Sequence, residues 1–292
     1  MPRAIPALGK VRADQEGQGC FMKMRSFGIL ALAILCASSL KSFAQTSQIT
    51  GVAHIAYRAS DLDKEVAFLA KLGYQQSFGF TNAAGKTTEV FIKVNDRQFI
   101  EVYPQNNPSE TLGWMHVCYE SDDINALAAF LTAHGLKPTE VRKAGAGNML
   151  TTMKDPEDRV TEFTQYMPGS RHTLDKGLHL GEHRISEQML GFSLPVPDLE
   201  AARKFYVSGM GFEARDGRQG LRMTFANVPD LRVQLQTAAA GVTPQTIFRI
   251  ADTAKATDQL KAAGLEPRQE GNRILVNDPD GNVFAFIAPR VR

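Results

Sequence analysis

From Thr50 onward the chain runs through one hydrophobic pattern four times. Each copy opens with alternating apolar and polar residues, the period of a half-buried strand, and passes through an acidic turn into a stretch of helical period that closes near a glycine. Three further alternating segments follow. In the first copy Val52 to Arg58 alternates, Asp61-Leu62-Asp63 opens a helix with Asp as its cap, and Lys71-Leu72-Gly73-Tyr74 closes it. Strands are then predicted over about 75–80, 88–94 and 98–103.

The second copy starts at Trp114-Met115-His116-Val117-Cys118-Tyr119, has its helix from Asp123 to His134 with Gly135 as the stop, and ends in the turn and strand Asp155 to Phe163. The third runs from Gly191 through Asp198 to Gly211-Phe212, and the fourth from Thr246 through a helix ending at Gly264 to Asp278 and Phe286. Copies two and four register closely: His134-Gly135-Leu136-Lys137-Pro138 falls on Ala263-Gly264-Leu265-Glu266-Pro267, and the two Asp-Pro turns coincide. Such internal repetition decides the fold class, an α+β chain of four βαβββ modules.

The repeat with Asp-Leu-x-x-Ala-x-x-Phe-Tyr-x-x-x-x-Gly-Phe at 198–212 and Asp-Pro-Asp-Gly-Asn at 278–282 resembles the vicinal oxygen chelate (VOC) superfamily of glyoxalases, bleomycin resistance proteins and extradiol dioxygenases. The resemblance covers about residues 50–288. It implies that modules pair into half-barrels around a metal, with ligands from the first and last strands of each module. On this chain those positions are His54 and His116, and Glu101 and Glu162. In modules three and four they are about Gly191, Gln245 or Thr246, Gln234 and Ala285, so that half is expected to hold no metal.

The implied domains are a metal-binding VOC domain over 50–167, a linker over 168–186 and a degenerate VOC domain over 187–290. The implied cofactor is one divalent metal per chain: Zn, Ni, Co, Mn or Fe(II). Two imidazoles and a carboxylate suit such ions and leave positions open for an oxygen substrate. His54 shares a strand face with Ala56 and His116 with Cys118, so each points inward beside a small residue. Glu162 is expected as a ligand first. Glu101 follows Arg97 by one residue more than Glu162 follows Arg159, and is expected as fourth ligand, as general base, or as partner of a surface Lys or Arg.

Cys118 is expected as a small core residue and Tyr57, Tyr103, Tyr119 and Tyr166 as barrel packing. His172, His179 and His183 are expected to be solvated, with a lid over the site or a second metal cluster as alternatives.

Three activities fit the resemblance. One is a glyoxalase-like lyase or isomerase in which Glu101 or Glu162 shuttles a proton. Another is an Fe(II) extradiol ring-cleaving dioxygenase, and the third is a non-catalytic small-molecule-binding protein. The partner in each is a small molecule with vicinal oxygens; four modules can satisfy their pairing within one chain, and a homodimer is also compatible.

The 292 residues, 43% of them hydrophobic, fit two domains. The apolar run Phe27 to Leu40, after Lys23 and Arg25 and before Ser42-Phe43-Ala44, has the layout of a signal peptide over 22–44 and is short for a membrane span. Residues 1–21 read as an unstructured leader. The expected mature protein is exported, to the periplasm or beyond, and free of the membrane. Residues 1–44 carry six Lys/Arg and two Asp/Glu, so the net charge falls from +2 to −2 without them, and no basic patch invites nucleic acid. Cys20 and Cys36 lie in the removed segment; Cys118 alone remains, which excludes a disulfide framework.

Overall fold

In the computed structural model the described residues are 48–217, 220–239 and 242–289, so the expected leader and signal peptide lie outside them. Modules one and two comprise β1 (Ile49–Ala59), α1 (Leu62–Lys71), β2 (Gln75–Thr81), β3 (Thr87–Asn95), β4 (Gln98–Pro104), β5 (Gly113–Ser121), α2 (Ile124–Ala133), β6 (Arg142–Lys143), β7 (Met149–Lys154) and β8 (Val160–Gln165). A short helix, α3 (Arg171–Leu174), leads to modules three and four. These comprise β9 (Met189–Val196), α4 (Leu199–Arg203), β10 (Glu213–Gly217), β11 (Gly220–Phe225), β12 (Val228–Thr237), β13 (Gln245–Arg249), α5 (Thr253–Ala262), β14 (Arg268–Glu270), β15 (Arg273–Asn277) and β16 (Val283–Ile287).

Local chemistry repeats with the modules. Asp61, Asp123, Asp198 and Asp252 each cap a helix, the side chain accepting a backbone N–H of the first turn. Each such bond satisfies a donor that the helix itself leaves open, an effect of about 1 kcal/mol. Gly73, Gly135, Gly211 and Gly264 follow the helices at φ of 73–85°, the left-handed region that ends a helix without a side-chain clash.

The third module departs from the expected single helix. After α4 the chain widens into a π-helical stretch, Lys204–Gly209, which buries the consecutive residues Phe205 and Tyr206 together, their rings 5.0 Å apart.

The strands form two eight-stranded sheets, ordered β2-β3-β4-β1-β5-β8-β7-β6 and β10-β11-β12-β9-β13-β16-β15-β14. In each, the first strands of two modules pair antiparallel at the centre and each lies parallel to the last strand of its own module. One face of the first sheet, with Ile55, Tyr57, Val117, Tyr119 and Phe163, joins Phe192, Phe248, Phe284 and Phe286 of the second in a single core. Tyr57 stacks on Phe284 (5.6 Å) and Trp114 packs on Phe192 (5.2 Å). His54 and Ala56 face the other way, into the concave side of the first sheet, because successive strand residues alternate faces.

The segment expected as a linker leaves His179 and His183 exposed, as expected, but is anchored at several points. His172 is 5% exposed, its ring edge-on to Phe78, Phe91 and Phe99. Buried Lys93 donates to Asp175 and to the Leu178 carbonyl, and the Ile185 amide donates to the Leu72 carbonyl.

Candidate metal centre

Strand register brings the four expected ligand positions together. Ala56 lies opposite Glu101 and opposite His116, and Cys118 lies opposite Glu162 and opposite His54. In each module the glutamate therefore stands across from the residue two places after the histidine. The extra residue between Arg97 and Glu101 leaves this relation unchanged.

The geometry is compact. The two Nε2 atoms of His54 and His116 lie 3.1 Å apart, and Glu101 Oε2 is 3.1 Å from the first and 3.2 Å from the second. Glu162 Oε2 is 3.5 Å from both. Donor atoms about 2.1 Å from a shared ion stand roughly 3.0–3.4 Å from one another in octahedral or tetrahedral arrangements, so these separations fit a common ion. Glu101 Oε2 is also buried without a well-aligned hydrogen bond, its only close neighbours being the two histidine nitrogens, an arrangement that a shared cation would satisfy. His54, Glu101 and His116 form one metal-competent group; His54, Cys118 and Glu162 form another. The Cys118 sulfur thus borders the site, a placement that the core reading of Cys118 missed although its face was shared with His116.

Electrostatics follow from crowding. Burial works against charge on His54, but Cys118 and Glu101 beside it more than offset this and raise its pKa well above the ordinary range. Burial likewise opposes charge on Glu101, and His54 and His116 overcome it, holding the carboxyl well below its usual pKa. Glu162 is lowered too, the histidines again outweighing burial. Burial pushes the Cys118 thiol up to about 11.

The two carboxylates sit at different depths. Glu101's side chain is 5% exposed and Glu162's 18% exposed. Tyr103, on the same face of β4, donates from its hydroxyl to Glu101 Oε1 at 2.8 Å. Glu89, adjacent on β3, borders the same hydroxyl, and burial pushes its pKa up to about 7. Neither Glu89 nor this use of Tyr103 is visible in the sequence pattern, which expects Tyr103 only as packing. Tyr57 and Tyr119 are packing residues of the core between the sheets.

The three histidines of the 168–186 segment do not gather. His172 Nδ1 accepts from the Asn148 amide, His179 pairs with Asp175, and no metal-competent group among the described residues includes them. Burial lowers His172's pKa to about 3, so it stays neutral. A cavity of about 350 Å³ beside Arg97, Glu120, Tyr166 and His172 contains none of the four expected ligands.

The second sheet repeats the frame without the donors. Register places Gly191 at the position of His54, Gln234 at that of Glu101, Gln245 at that of His116 and Ala285 at that of Glu162. This selects Gln245 over Thr246, which faces the core and bonds the Tyr57 hydroxyl. On the concave side Leu190, Ile247, Leu275, Val283 and Ala285 form an apolar cluster.

Residues 53–152 match the sequence pattern of the Glyoxalase/Bleomycin resistance protein/Dioxygenase superfamily, and residues 188–286 match a second pattern of the same superfamily. The chain belongs to that superfamily. Among solved structures it is similar to a 2,3-dioxygenase from Pseudomonas sp. KL28, at 16% identity over 84% of this chain and 94% of that one, with a TM-score of 0.62. It is similar also to a Mn(II)-bound glyoxalase from Novosphingobium aromaticivorans, at 17% identity over 83% of each chain, TM-score 0.62. An extradiol ring-cleaving dioxygenase from B. fuscum matches at 15% identity over 86% of this chain and 75% of that one, TM-score 0.61. At such identities the likeness is one of fold. None of the curated proteins matches the sequence.

Proposed function

We propose that this chain is a divalent-metal-dependent VOC enzyme acting on a small molecule with vicinal oxygens, by lyase or isomerase chemistry of the glyoxalase type. The observation that carries this reading is the pair of carboxylate oxygens, from Glu101 and Glu162, within 3.5 Å of the same two imidazole nitrogens. His54, His116, Glu101 and Glu162 would hold the ion, which supplies a Lewis acid for a substrate carbonyl. Glu101, deeper and tied to Tyr103, serves as a ligand. Glu162, more accessible and ionised, takes the proton next to that carbonyl and returns it to the neighbouring carbon, the exchange that an isomerisation requires. This reverses the roles expected from sequence, because a base must reach the substrate and Glu101 is walled in.

Extradiol ring cleavage is the second reading, favoured by the aromatic wall beside the site, where Phe91 lies 6.1 Å from the His54 ring and stacks on Phe78. A third, non-catalytic binding reading is supported by the loss of donors in the second sheet. The deciding experiment is metal analysis of protein purified without chelator, followed by oxygen uptake with catechols and a proton-exchange assay with α-hydroxyketones. Nickel, zinc, cobalt or manganese with exchange and no oxygen uptake supports the isomerase. Iron with oxygen uptake replaces it with the dioxygenase, and bound metal without turnover leaves the binding protein.

We also propose that the mature protein is exported and has no membrane segment. Its support is the run Phe27 to Ala44, which lies outside the described residues.

A further inference from the structure

Carboxylates bind an ion through one oxygen or through both, and the difference decides how many positions stay free. Glu101 has its two oxygens in unlike surroundings. Oε1 accepts the Tyr103 hydroxyl at 2.8 Å, whereas Oε2 lies 3.1–3.2 Å from both histidine nitrogens and has no well-aligned hydrogen bond. Tyr103 is two residues beyond Glu101 on β4, so both side chains rise from the same face, and its ring lies against that of His116 at 6.4 Å.

We infer that Tyr103 is a positioning residue that occupies Glu101 Oε1 and so confines Glu101 to one oxygen, Oε2, toward the metal centre. The inference rests on the metal reading above and extends it to the number of open positions. Where an ion takes roughly six donors, four single-oxygen or single-nitrogen protein ligands leave two sites, the number that two vicinal oxygens occupy. A two-oxygen Glu101 would remove one of them. Tyr103 therefore sets the site's competence for chelating substrates rather than its grip on the metal.

The test uses Co(II) as the metal and acetohydroxamate as a two-oxygen probe, with X-ray absorption and visible spectra of the full chain. Tyr103→Phe removes one hydroxyl and keeps the ring. It is expected to retain one Co(II), to show in X-ray absorption the short metal–carbon distance of a carboxylate bound through both oxygens, and to bind acetohydroxamate about tenfold more weakly, the lower end of what loss of a partner behind a ligand costs. Glu89→Gln, which leaves the Tyr103–Glu101 bond in place, is expected to match wild type in both measurements. Unchanged spectra and probe affinity in Tyr103→Phe overturn the inference, as does the same change in Glu89→Gln. A wild-type protein that takes up no Co(II) overturns the metal reading itself, so the two failures are told apart by the wild-type measurement.

Discussion

Glu65 on α1 and Asp278 in the turn before β16 bring two carboxyls together where the two halves of the chain meet. Glu65 is 1% exposed and Asp278 6% exposed, and neither Glu65 oxygen has a hydrogen-bond donor. Burial, followed by the Asp278 and Asp280 charges, pushes Glu65's pKa up to about 9. The fold therefore holds a proton that the unfolded chain, with a value near 4.5, has released. Stability from this group is full below about 4.5 and declines as pH rises toward about 9. Glu65→Gln should be more stable than wild type at pH 8, by on the order of 2 kcal/mol, with the gap closing toward pH 5. Denaturant unfolding at the two pH values checks this; a constant difference would contradict the assignment.

Removal of each site carboxylate should separate holding from turnover. Glu101→Ala deletes the buried oxygen closest to both histidines and is expected to lose most of the bound metal. Glu162→Gln keeps an oxygen of the same reach but loses its basicity, so metal is expected to stay while turnover falls about a hundredfold or more. Metal content by plasma emission and steady-state rates decide it. Normal turnover in Glu162→Gln would end its role as base.

One metal ion per chain is expected, since Gly191 and Ala285 offer no donor atoms where His54 and Glu162 stand. Equilibrium dialysis against Co(II) should saturate at a single equivalent and fall to none in a His54→Ala, His116→Ala double variant. Retention of an equivalent by that variant would place the ion elsewhere.

His172 should matter to folding and not to metal. Its ring fills a pocket among Phe78, Phe91, Phe99 and Tyr166, so His172→Ala leaves a cavity costing about 2–4 kcal/mol. Thermal unfolding should shift down while metal stoichiometry holds. Loss of metal at unchanged stability would make it a ligand.

Export predicts a mature N-terminus near Gln45, the first residue after Ser42-Phe43-Ala44. N-terminal sequencing of protein from its native host gives the answer, and a chain starting at Met1 would refute it.

Much of this architecture was legible because it is local. Asp61, Asp123, Asp198 and Asp252 cap helices through their own next few residues, and the Asp155 and Asp278 turns close within five residues. His54 and His116 were legible because a duplicated unit places them at equivalent points. The unequal depth of Glu101 and Glu162 was not, since it depends on which strands flank β4 and β8. Nor was the burial of His172, whose pocket is assembled from β2, β3, β4 and the residue after β8. The Lys204–Gly209 stretch escaped for a related reason: its hydrogen-bond spacing answers to the packing of Phe205 and Tyr206 rather than to helix propensity.

Gly191 builds the molecule's lopsidedness into its backbone. Its φ of 143° and the Arg232 carbonyl, 2.3 Å from where a Cβ would stand, mean that no single codon change can hang an imidazole there. Acids placed at Gln234 and Ala285 would still leave this half without a nitrogen at the Gly191 position unless β9 itself were rebuilt. A ligand of this face would meet the amide side chains of Gln234 and Gln245 beside the apolar surface of Leu190, Ile247 and Leu275.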